Sequence, residues 1–470
     1  MSANKDKLAT AGSHHHTHNG RLVDLELASF CVFNSSLGQR EGEEHQKIFL
    51  FFPVTTDVDV QIRVIGLLEA VSKFMRSFSD TDCRSFLTSQ QLHTLNLVHP
   101  SDTAGPRVGE NDRTRNETIQ EEVYCSILEK AYKMFKILNG PLSLVEYPDT
   151  KPLKQKLQSF FADYLQKSPF GKLDVLQCFD ALSWLPMNRK VFLSVQNVVN
   201  SISVNFREVR YSLMLYWDQV VWNDIDLPEA LSMAHYITKF LYPDLMEKDI
   251  QAIHSSLPAQ QFAQGHLGRF FFGPKNLQDS EEVVPPTFAY LTDPESGLAV
   301  RYRLVVYSAA SIAVCLFLDE ASSAASESTK YYRNLDAYLG PAVAAIAPDL
   351  AEQYSKQHNP QWSYDSPNVR YIFLNESNLS KKQTLADRNQ TVQVELLKAL
   401  VDIKEDVTNR FDDTEIYEKV LHDCWIYGKR NFQHSLFAVV TQRNADLVLT
   451  EEEIRKLCSK EFPSSNDAYL

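Results

Sequence analysis

The feature that most constrains the fold of this chain is an order of elements that occurs three times. Each time, short apolar runs with the composition of β-strands precede a longer run with the 3.6-residue periodicity of an amphipathic helix. An amphipathic helix buries its apolar face against another element. The order therefore predicts an α/β (α+β) fold of three units, each a small antiparallel sheet flanked by helices. The runs lie at 25–33, 47–53 and 60–78, at 209–225 and 227–242, and at 369–375 and 392–407.

The three units are alike in pattern but not in residue identity, so the repeat is one of pattern only. We predict a disordered polar tail at 1–22, a first domain at 23–205, a second at 206–360 and a third at 361–470. The tail contains a histidine run that could bind a divalent metal ion. Because a tail without a fold does not fix the ligand geometry, we predict no metal site there. The run consists of His14, His15, His16 and His18.

Other runs complete the predicted units. In the first, we expect one or two strands in 83–100, a polar loop at 101–119, helices at 121–138 and 153–167, and shorter helices at 173–184 and 189–204. In the second, we expect strands at 270–272 and 286–292, a strand pair in 301–319 and a helix from Ser328 to about Ser355. In the third, we expect strands at DCWIYGK, SLFAVVTQ and ADLVL within 423–449 and a helix at 451–462.

The composition excludes several classes of protein. With 60 acidic and 47 basic residues, the net charge is −13, which opposes binding to nucleic acid and, for the chain alone, to anionic membranes. The seven cysteines form no C-x-x-C pair, so no zinc ribbon or thioredoxin-type site is predicted. The longest apolar run, 304–318, is 15 residues long, whereas a membrane span needs about 20. The N-terminus has no secretory signal, and we expect a reducing, aqueous compartment.

No common catalytic motif occurs in the sequence. G-x-S-x-G, the phosphate-binding glycine motifs and H-E-x-x-H are all absent. The densest carboxylate cluster is Glu41, Glu43 and Glu44, beside His45, and a solvated loop explains it better than a metal site. His422 and Cys424 fit a helix end that enters a strand, and His235 fits a surface or core-edge position. We therefore predict no catalytic residue, no cofactor and no metal.

Residues 27–53 carry a more specific signal. They resemble the N-terminal signature of the calcium-caffeine-zinc sensitivity proteins, also called vacuolar fusion proteins, and further matches follow in the order of that family over about residues 25–465. The first match comprises Phe33, Asn34, Gly38, Arg40, Glu41, Gly42, Glu43, Glu44, Lys47 and Ile48, followed by Leu50, Phe51, Phe52 and Pro53. The later matches are Met134–Lys136 with Asn139 and Gly140, Asp218 and Gln219 with Trp222, Gly268–Phe270 with Gly273, Pro274, Asn276 and Leu277, Trp425 with Gly428 and Lys429, and Asn444 and Ala445 with Leu447.

This resemblance implies a chain of three longin units, each a five-stranded antiparallel sheet between helices. It implies a partnership with the monensin-sensitivity protein, another tri-longin chain, and in animals with a third, regulatory subunit. Such complexes are guanine-nucleotide exchange factors for the late-endosomal and lysosomal Rab GTPase during endosome maturation. The resemblance also implies a cytoplasmic protein, peripheral on endosome and lysosome membranes through the complex. We expect no covalent catalysis.

In that family, the first longin units of the two partners pair and form the platform for the Rab. In this chain we predict that the platform includes strands 27–33 and 47–52 and helix 60–78. The candidate platform residues for Rab or partner contact are Arg40, Glu41, Gly42, Glu43, Glu44, Lys47, Ile48 and Phe49. The residues from Arg40 to Glu44 have the alternative role of bracing the hairpin loop. The competing function is a non-catalytic longin scaffold, or a tethering or coat-like subunit in vesicle trafficking.

Overall fold

The computed structural model describes the chain from residue 25 to residue 462, with gaps. The predicted tail at 1–22, with its histidine run, lies outside the described residues. The described ranges are 25–78, 83–88, 91–99, 102–110, 121–142, 150–168, 175–243, 268–274, 277, 284–294, 296–320, 328–357, 368–385, 392–410, 414–421, 423–442 and 444–462.

The first unit is an antiparallel sheet with helices on both faces. Its strands follow the order β2-β1-β6-β4-β3, and β5 also pairs with β6. Helix α1 covers one face, and α2 and α3 cover the other. The elements are β1 (Leu25–Asn34), β2 (Ile48–Phe52), α1 (Val58–Arg76), β3 (Ser85–Leu87), β4 (Gln91–Thr94), β5 (Asn96–His99), β6 (Asp102–Glu110), α2 (Glu121–Asn139) and α3 (Lys151–Lys167).

Strand β6 corrects the prediction of a loop at 101–119. The prediction rested on glycine and proline, which weaken strands in the middle of a sheet. In the structure, Gly105 and Pro106 pair with Cys31 and Phe30 of β1. On its other side, β6 pairs with β4 through residues 107–109 and with β5 through residues 102–104. On this second side, Gly105 and Pro106 lie opposite the break between β4 and β5. They therefore pair with β1 only, and the proline has no neighbouring strand on its other side.

The second unit has a sheet of order β10-β11-β12-β7-β8, with β9 paired to β11. Helices α4 and α6 pack on one face and α5 on the other. Helix α4, which the predicted boundary at 205/206 assigned to the first domain, thus packs on the second sheet. The elements are α4 (Arg189–Asn205), β7 (Val209–Tyr216), β8 (Gln219–Asn223), α5 (Leu227–Tyr236) with a π-helical continuation (Ile237–Leu241), β9 (Arg269–Phe270), β10 (Phe288–Thr292), β11 (Ala299–Ala309), β12 (Ile312–Asp319) and α6 (Thr329–Gln357).

The longest apolar run of the sequence forms the centre of this second sheet. Strands β11 and β12 pair from Tyr302↔Asp319 to Ala309↔Ile312, and the residues of 304–318 are mostly buried. Both faces of the hairpin are covered by helices, which explains the continuous apolar sequence.

The third unit has a five-stranded sheet of order β14-β13-β17-β16-β15. Its strand pairs are antiparallel, as in the other two units. Helix α7 packs on one face and α8 on the other. The elements are β13 (Val369–Asn375), β14 (Ser380–Gln383), α7 (Val394–Asn409), β15 (Thr414–Leu421), β16 (Cys424–Arg430), β17 (His434–Thr441) and α8 (Leu447–Glu461).

Two predictions outside the first unit's sheet are wrong. The run ADLVL (445–449) is not a strand but the start of α8, because the Asp446 side chain caps the helix by accepting a hydrogen bond from the Leu449 amide at 2.9 Å. The predicted helix at 173–184 is a single 3-10 turn, Val175–Cys178, followed by an extended segment. This extended segment pairs with two sheets, which fixes its conformation.

Helix α2 joins the three units into one body. Val123 and Ile127 are buried in the core of the third unit, Leu128 and Phe135 in that of the first, and Ile137 in that of the second. The buried side chains of α2 thus lie in three different cores, while Glu121 and Lys133 of the same helix are exposed. Helix α2 is therefore a shared core element rather than a part of the first unit alone.

Candidate functional site

The candidate platform begins with the loop between β1 and β2. Gly38 has φ +54°, and an added Cβ there would collide with the carbonyl oxygen of Glu43. The Glu43 amide donates a hydrogen bond to the Arg40 carbonyl at 3.1 Å, and the Gln46 amide donates to the Glu43 carbonyl at 2.9 Å. These contacts fold the loop into consecutive tight turns that need glycine at position 38.

The acidic part of this loop faces solvent. Arg40, Glu41 and Gly42 are exposed, and Glu43 and Glu44 are half-buried. Hydrogen bonds from the backbone amides of Glu44 and Gly42 lower the pKa of the Glu44 carboxyl group. The Glu44 carboxylate is therefore ionised at neutral pH, and it lies at the end of the hairpin.

Lys47 connects the loop to α1. Its Nζ lies 2.7 Å from Oε2 of Glu69, and the other carboxylate oxygen of Glu69 accepts a bond from Lys73. Burial acts to raise the pKa of Glu69, but hydrogen bonds and charge from the two lysines outweigh burial and lower it. Because Glu69 is 9% exposed, this ion pair is well shielded from solvent and fixes the hairpin against α1.

The last two candidate residues begin β2. Phe49 is buried in the core beneath α2 and α3, whereas Ile48 is half-buried on the side of α1. The side chain of Phe49 thus belongs to the core of the first unit and does not contribute to its surface. The structure places Arg40 to Lys47 on the surface beside α1, and Phe49 inside the unit.

Helix α1 has two apolar faces, of which only one is covered. Helical periodicity in 60–78 predicts one covered face, made of Val64, Leu67, Leu68, Val71, Phe74, Met75 and Phe78. In the structure, Val64, Ile65 and Leu68 pack against β1 and β2. The remaining apolar residues form a neighbouring row that faces solvent, which we call the α1 stripe. It consists of Val60, Leu67, Phe74 and Phe78.

The α1 stripe is unusually apolar for a surface. Leu67, Phe74 and Phe78 are 44%, 62% and 74% exposed, and the two phenyl rings lie 4.8 Å apart. Leu67 and Phe74, seven residues apart, lie on one side of the helix, and Phe78 continues their row from the turn after Arg76. Contiguous exposed apolar rows of this kind mark interaction sites. Helical periodicity identifies these residues as apolar positions of the helix. It does not show which of them the sheet leaves uncovered.

A polar cluster lies where the three units meet. Nε2 of His235 on α5 lies 3.4 Å from Oδ1 of Asp180, and Nζ of Lys130 on α2 lies 3.5 Å from the same oxygen. Burial lowers the pKa of His235 to about 4, and the positive charge of nearby lysines adds to this effect. His235 is therefore neutral at pH 7, and it lies at the edge of the core, which is one of the positions predicted for it.

Two further searches concern the described part of the chain. Among those residues, no three histidine, cysteine or acidic side chains converge as metal ligands would. In the same part of the chain, no helix has the length and apolarity of a membrane-spanning segment.

Comparison with known proteins decides the family. Residues 27–140 match the family described as the first longin domain of INTU, CCZ1 and HPS4, and residues 209–340 and 365–457 match the second and third Intu longin-like domains. The vacuolar fusion protein CCZ1 homologue of Xenopus laevis is 31% identical over 461 residues, which cover 93% of this chain and 96% of the relative. The chain belongs to the CCZ1 family of vacuolar fusion proteins.

Other relatives show the same full-length match. The CCZ1 homologue of Nematostella vectensis is 31% identical over 454 residues, and that of Dictyostelium discoideum is 24% identical over 462 residues. In both cases more than 90% of each chain is covered. The match confirms the resemblance drawn from the sequence motifs, and the three matched longin regions confirm the predicted fold class.

Proposed function

We propose that this chain is one subunit of a guanine-nucleotide exchange factor for the late-endosomal and lysosomal Rab GTPase. Its partner is a second tri-longin chain, the monensin-sensitivity protein, and in animals a third, regulatory subunit joins them. The complex acts in endosome maturation and vesicle fusion, and the chain reaches the membrane as a peripheral member of that complex. Support comes from its membership of a family whose relatives are named vacuolar fusion proteins.

The observation that carries the proposal is the α1 stripe. Phe74 is exposed on a helix that is otherwise anchored to the sheet by Val64, Ile65 and Leu68, and Phe78 is exposed in the turn that directly follows this helix. An exposed apolar surface on a rigid element suits binding to another folded protein, because little conformational entropy is lost on association. The acidic loop from Arg40 to Glu44 lies at the end of the hairpin that Lys47 joins to α1 through Glu69. It offers charged groups to a partner of the kind found at the polar rim of an interface.

Nucleotide exchange needs no covalent chemistry from such a surface. A small GTPase holds its nucleotide with a phosphate-binding loop, a magnesium ion and ordered switch segments. A platform that binds the nucleotide-free GTPase more tightly than the loaded form must, by linkage, weaken nucleotide binding by the same factor. Positioned apolar and charged side chains are sufficient for this task.

The test is the release of fluorescent nucleotide from the late-endosomal Rab, measured with this chain, with its tri-longin partner and with both. We expect acceleration by the pair only. Phe78→Asp should abolish it, because a charge in the centre of an apolar contact costs about 2 kcal/mol or more of binding. Phe432→Asp is the matched control, since Phe432 is 78% exposed in the third unit.

Two outcomes would argue against the proposal. A stable pair that leaves nucleotide release unchanged would favour the scaffold or tether over the exchange factor. An equal loss of activity in both variants would show that the α1 stripe has no special role.

A further inference from the structure

The second and third sheets share one edge element, residues 179–185, which we call the strap. Leu182 forms a parallel bridge with Ser380 of β14. Two residues later, Trp184 forms a parallel bridge with Val220 of β8. Strands β14 and β8 are the outer strands of the third and second sheets. One short segment therefore lies against the edges of two sheets that belong to different units.

Toward the third unit, the strap is held by three hydrogen bonds. The Leu182 amide donates to the Leu379 carbonyl at 2.6 Å, and the Lys381 amide donates to the Leu182 carbonyl at 3.2 Å. Nε1 of Trp184 donates to the Asn378 carbonyl at 3.1 Å. These bonds satisfy backbone groups that a sheet edge otherwise presents to any extended chain.

Toward the second unit, the strap is held by two more backbone hydrogen bonds. The Val220 amide donates to the Ser183 carbonyl at 2.7 Å, and the Leu185 amide donates to the Val220 carbonyl at 3.0 Å. The carbonyls of Leu182 and Ser183 thus accept bonds from different units although their peptide groups are adjacent. Movement of the strap away from one sheet edge therefore displaces the groups that bond to the other edge.

The buried side chains of the strap enter three different cores. Phe179 packs in the core of the third unit, with its ring 5.2 Å from that of Phe437. Leu182 lies in the core on the α5 side of the second sheet, and Leu185 lies in the core on the opposite side, with α4 and α6. All three are 3% exposed or less. Release of the strap would expose this apolar surface, which strongly favours the bound position.

Asp180 connects the strap to two helices. Its Oδ1 lies 3.5 Å from Nζ of Lys130 on α2 and 3.4 Å from Nε2 of His235 on α5. Nζ of Lys130 also donates a hydrogen bond to the carbonyl of Gln177, just before the strap. Because separation of a shielded ion pair leaves each charge without its partner, Asp180 also opposes release of the strap.

We propose that the strap couples the second and third units, so that the joint between them opens and closes as a single event. In one state the strap is bound to both sheet edges, and in the other it has left both. Release from one edge alone is disfavoured, because adjacent peptide groups bond to the two edges and the buried side chains lie in cores of both units. Packed joints with two discrete arrangements are a common basis of conformational change. This coupling does not depend on nucleotide exchange.

The test is hydrogen exchange of the full chain, measured by mass spectrometry on peptides that cover 219–221 in the second unit and 379–382 in the third. Exchange of such amides reports local opening of the native state. Phe179→Leu weakens the contact of the strap with the core of the third unit. We expect exchange to become faster in both peptides by the same factor, about tenfold.

Phe462→Leu is the matched control for this variant. Phe462 is 7% exposed in the core of the third unit beneath α8, to which the strap contributes no buried residue. The control therefore makes the same substitution in the same unit without a change at the strap. We expect it to leave exchange in 219–221 unchanged.

Asn378→Ala is a milder variant, to be used if Phe179→Leu does not fold. Oδ1 of Asn378 accepts a hydrogen bond from the Ser380 amide at 2.9 Å, so the substitution loosens the turn that holds the strap. We expect exchange in 219–221 and 379–382 to become faster by the same factor, about threefold. Asn431→Ala is its control, because Oδ1 of Asn431 accepts from the His434 amide at 2.7 Å in the turn between β16 and β17.

Three results would overturn the proposal. Faster exchange in 379–382 alone would show that the two edges open independently. Faster exchange in 219–221 in the control variants, equal to that in the strap variants, would mean a general loss of stability. Unchanged exchange in both peptides in a folded Phe179→Leu variant would show that the strap does not control the joint.

Discussion

Helices α1, α5 and α7 occupy equivalent places in the three units, yet among the described residues only α1 has an uncovered apolar side. On α5, Tyr236 and Phe240 pack against the core of the first unit, with the Phe240 ring 5.5 Å from that of Tyr164. On α7, the buried residues share a core with Val123 of α2 and with Phe179. The chain thus covers the outer sides of two of its three equivalent helices with its own elements.

This difference indicates which helix surface is open to another protein. Helix α3 reaches α5 through Tyr164, and α2 and the segment around Phe179 reach α7, whereas the described part of the chain holds no comparable cover for α1. The stripe of Leu67, Phe74 and Phe78 is the surface left by that arrangement. Internal packing therefore joins the three units, and the first unit is left with an exposed apolar row that we propose as the interaction face.

The largest expected effect is on the free energy of unfolding, and it distinguishes a buried phenylalanine of α2 from an exposed one of α1. Phe135 of α2 is 1% exposed, and Phe135→Ala should lower the free energy of unfolding by about 3–5 kcal/mol. Phe74→Ala on the stripe should change it by about 0.5 kcal/mol or less, because little surface is buried there. Urea denaturation of both variants checks this. A large loss for Phe74→Ala would mean that the stripe is part of the core.

A second prediction concerns the loop that Lys47 connects to α1. Gly38→Ala should destabilise the chain by about 2–3 kcal/mol, because it combines a left-handed backbone with a collision at Glu43. Gly42 also has positive φ, at +88°, but a Cβ there meets nothing within 4 Å. Gly42→Ala should therefore cost only about 1 kcal/mol. Equal melting temperatures for the two variants would show that the turn at Gly38 does not constrain the loop.

The smallest expected effect is a pH dependence of the free energy of unfolding, caused by His235 on the covered side of α5. His235 has a pKa of about 4 in the fold, against about 6.5 in an unfolded chain. A lowered folded pKa means that its contribution is complete above about pH 6.5 and is lost as the pH falls toward 4. We expect a loss of about 1–2 kcal/mol between pH 7 and pH 5. His235→Gln should remove that part of the slope, and an unchanged slope would contradict the burial of His235.

Much of the fold follows from local sequence pattern. The hairpin strands at 25–33 and 47–52 and the helix at 60–78 appear as β1, β2 and α1 with nearly the predicted bounds. The run at 304–318 forms a buried strand pair because its apolar side chains are continuous. Local sequence pattern fails where pairing between distant strands determines the secondary structure. Gly105 and Pro106 indicate a loop, but their place between β1 and the break in the next strands makes a strand possible there.

The candidate site was less accessible from the sequence. The motif at Arg40 to Ile48 lies in the loop between β1 and β2, and Gly38 explains why this loop is tight. Its role as part of the platform stays a prediction. The α1 stripe was missed because Leu67 and Phe74 look like core residues when only helical periodicity is considered. Exposure depends on how far the sheet extends beneath the helix. The extended conformation of 181–185 also has no local sequence signal, since it depends on pairing with sheet edges at Val220 and Ser380.

The most direct test of the account is hydrogen exchange of this chain alone and in complex with its tri-longin partner. The account predicts slower exchange in the amides of α1 on complex formation, with α5 and α7 unchanged because the chain covers them already. Unchanged exchange in α1, or protection confined to α5 and α7, would contradict it.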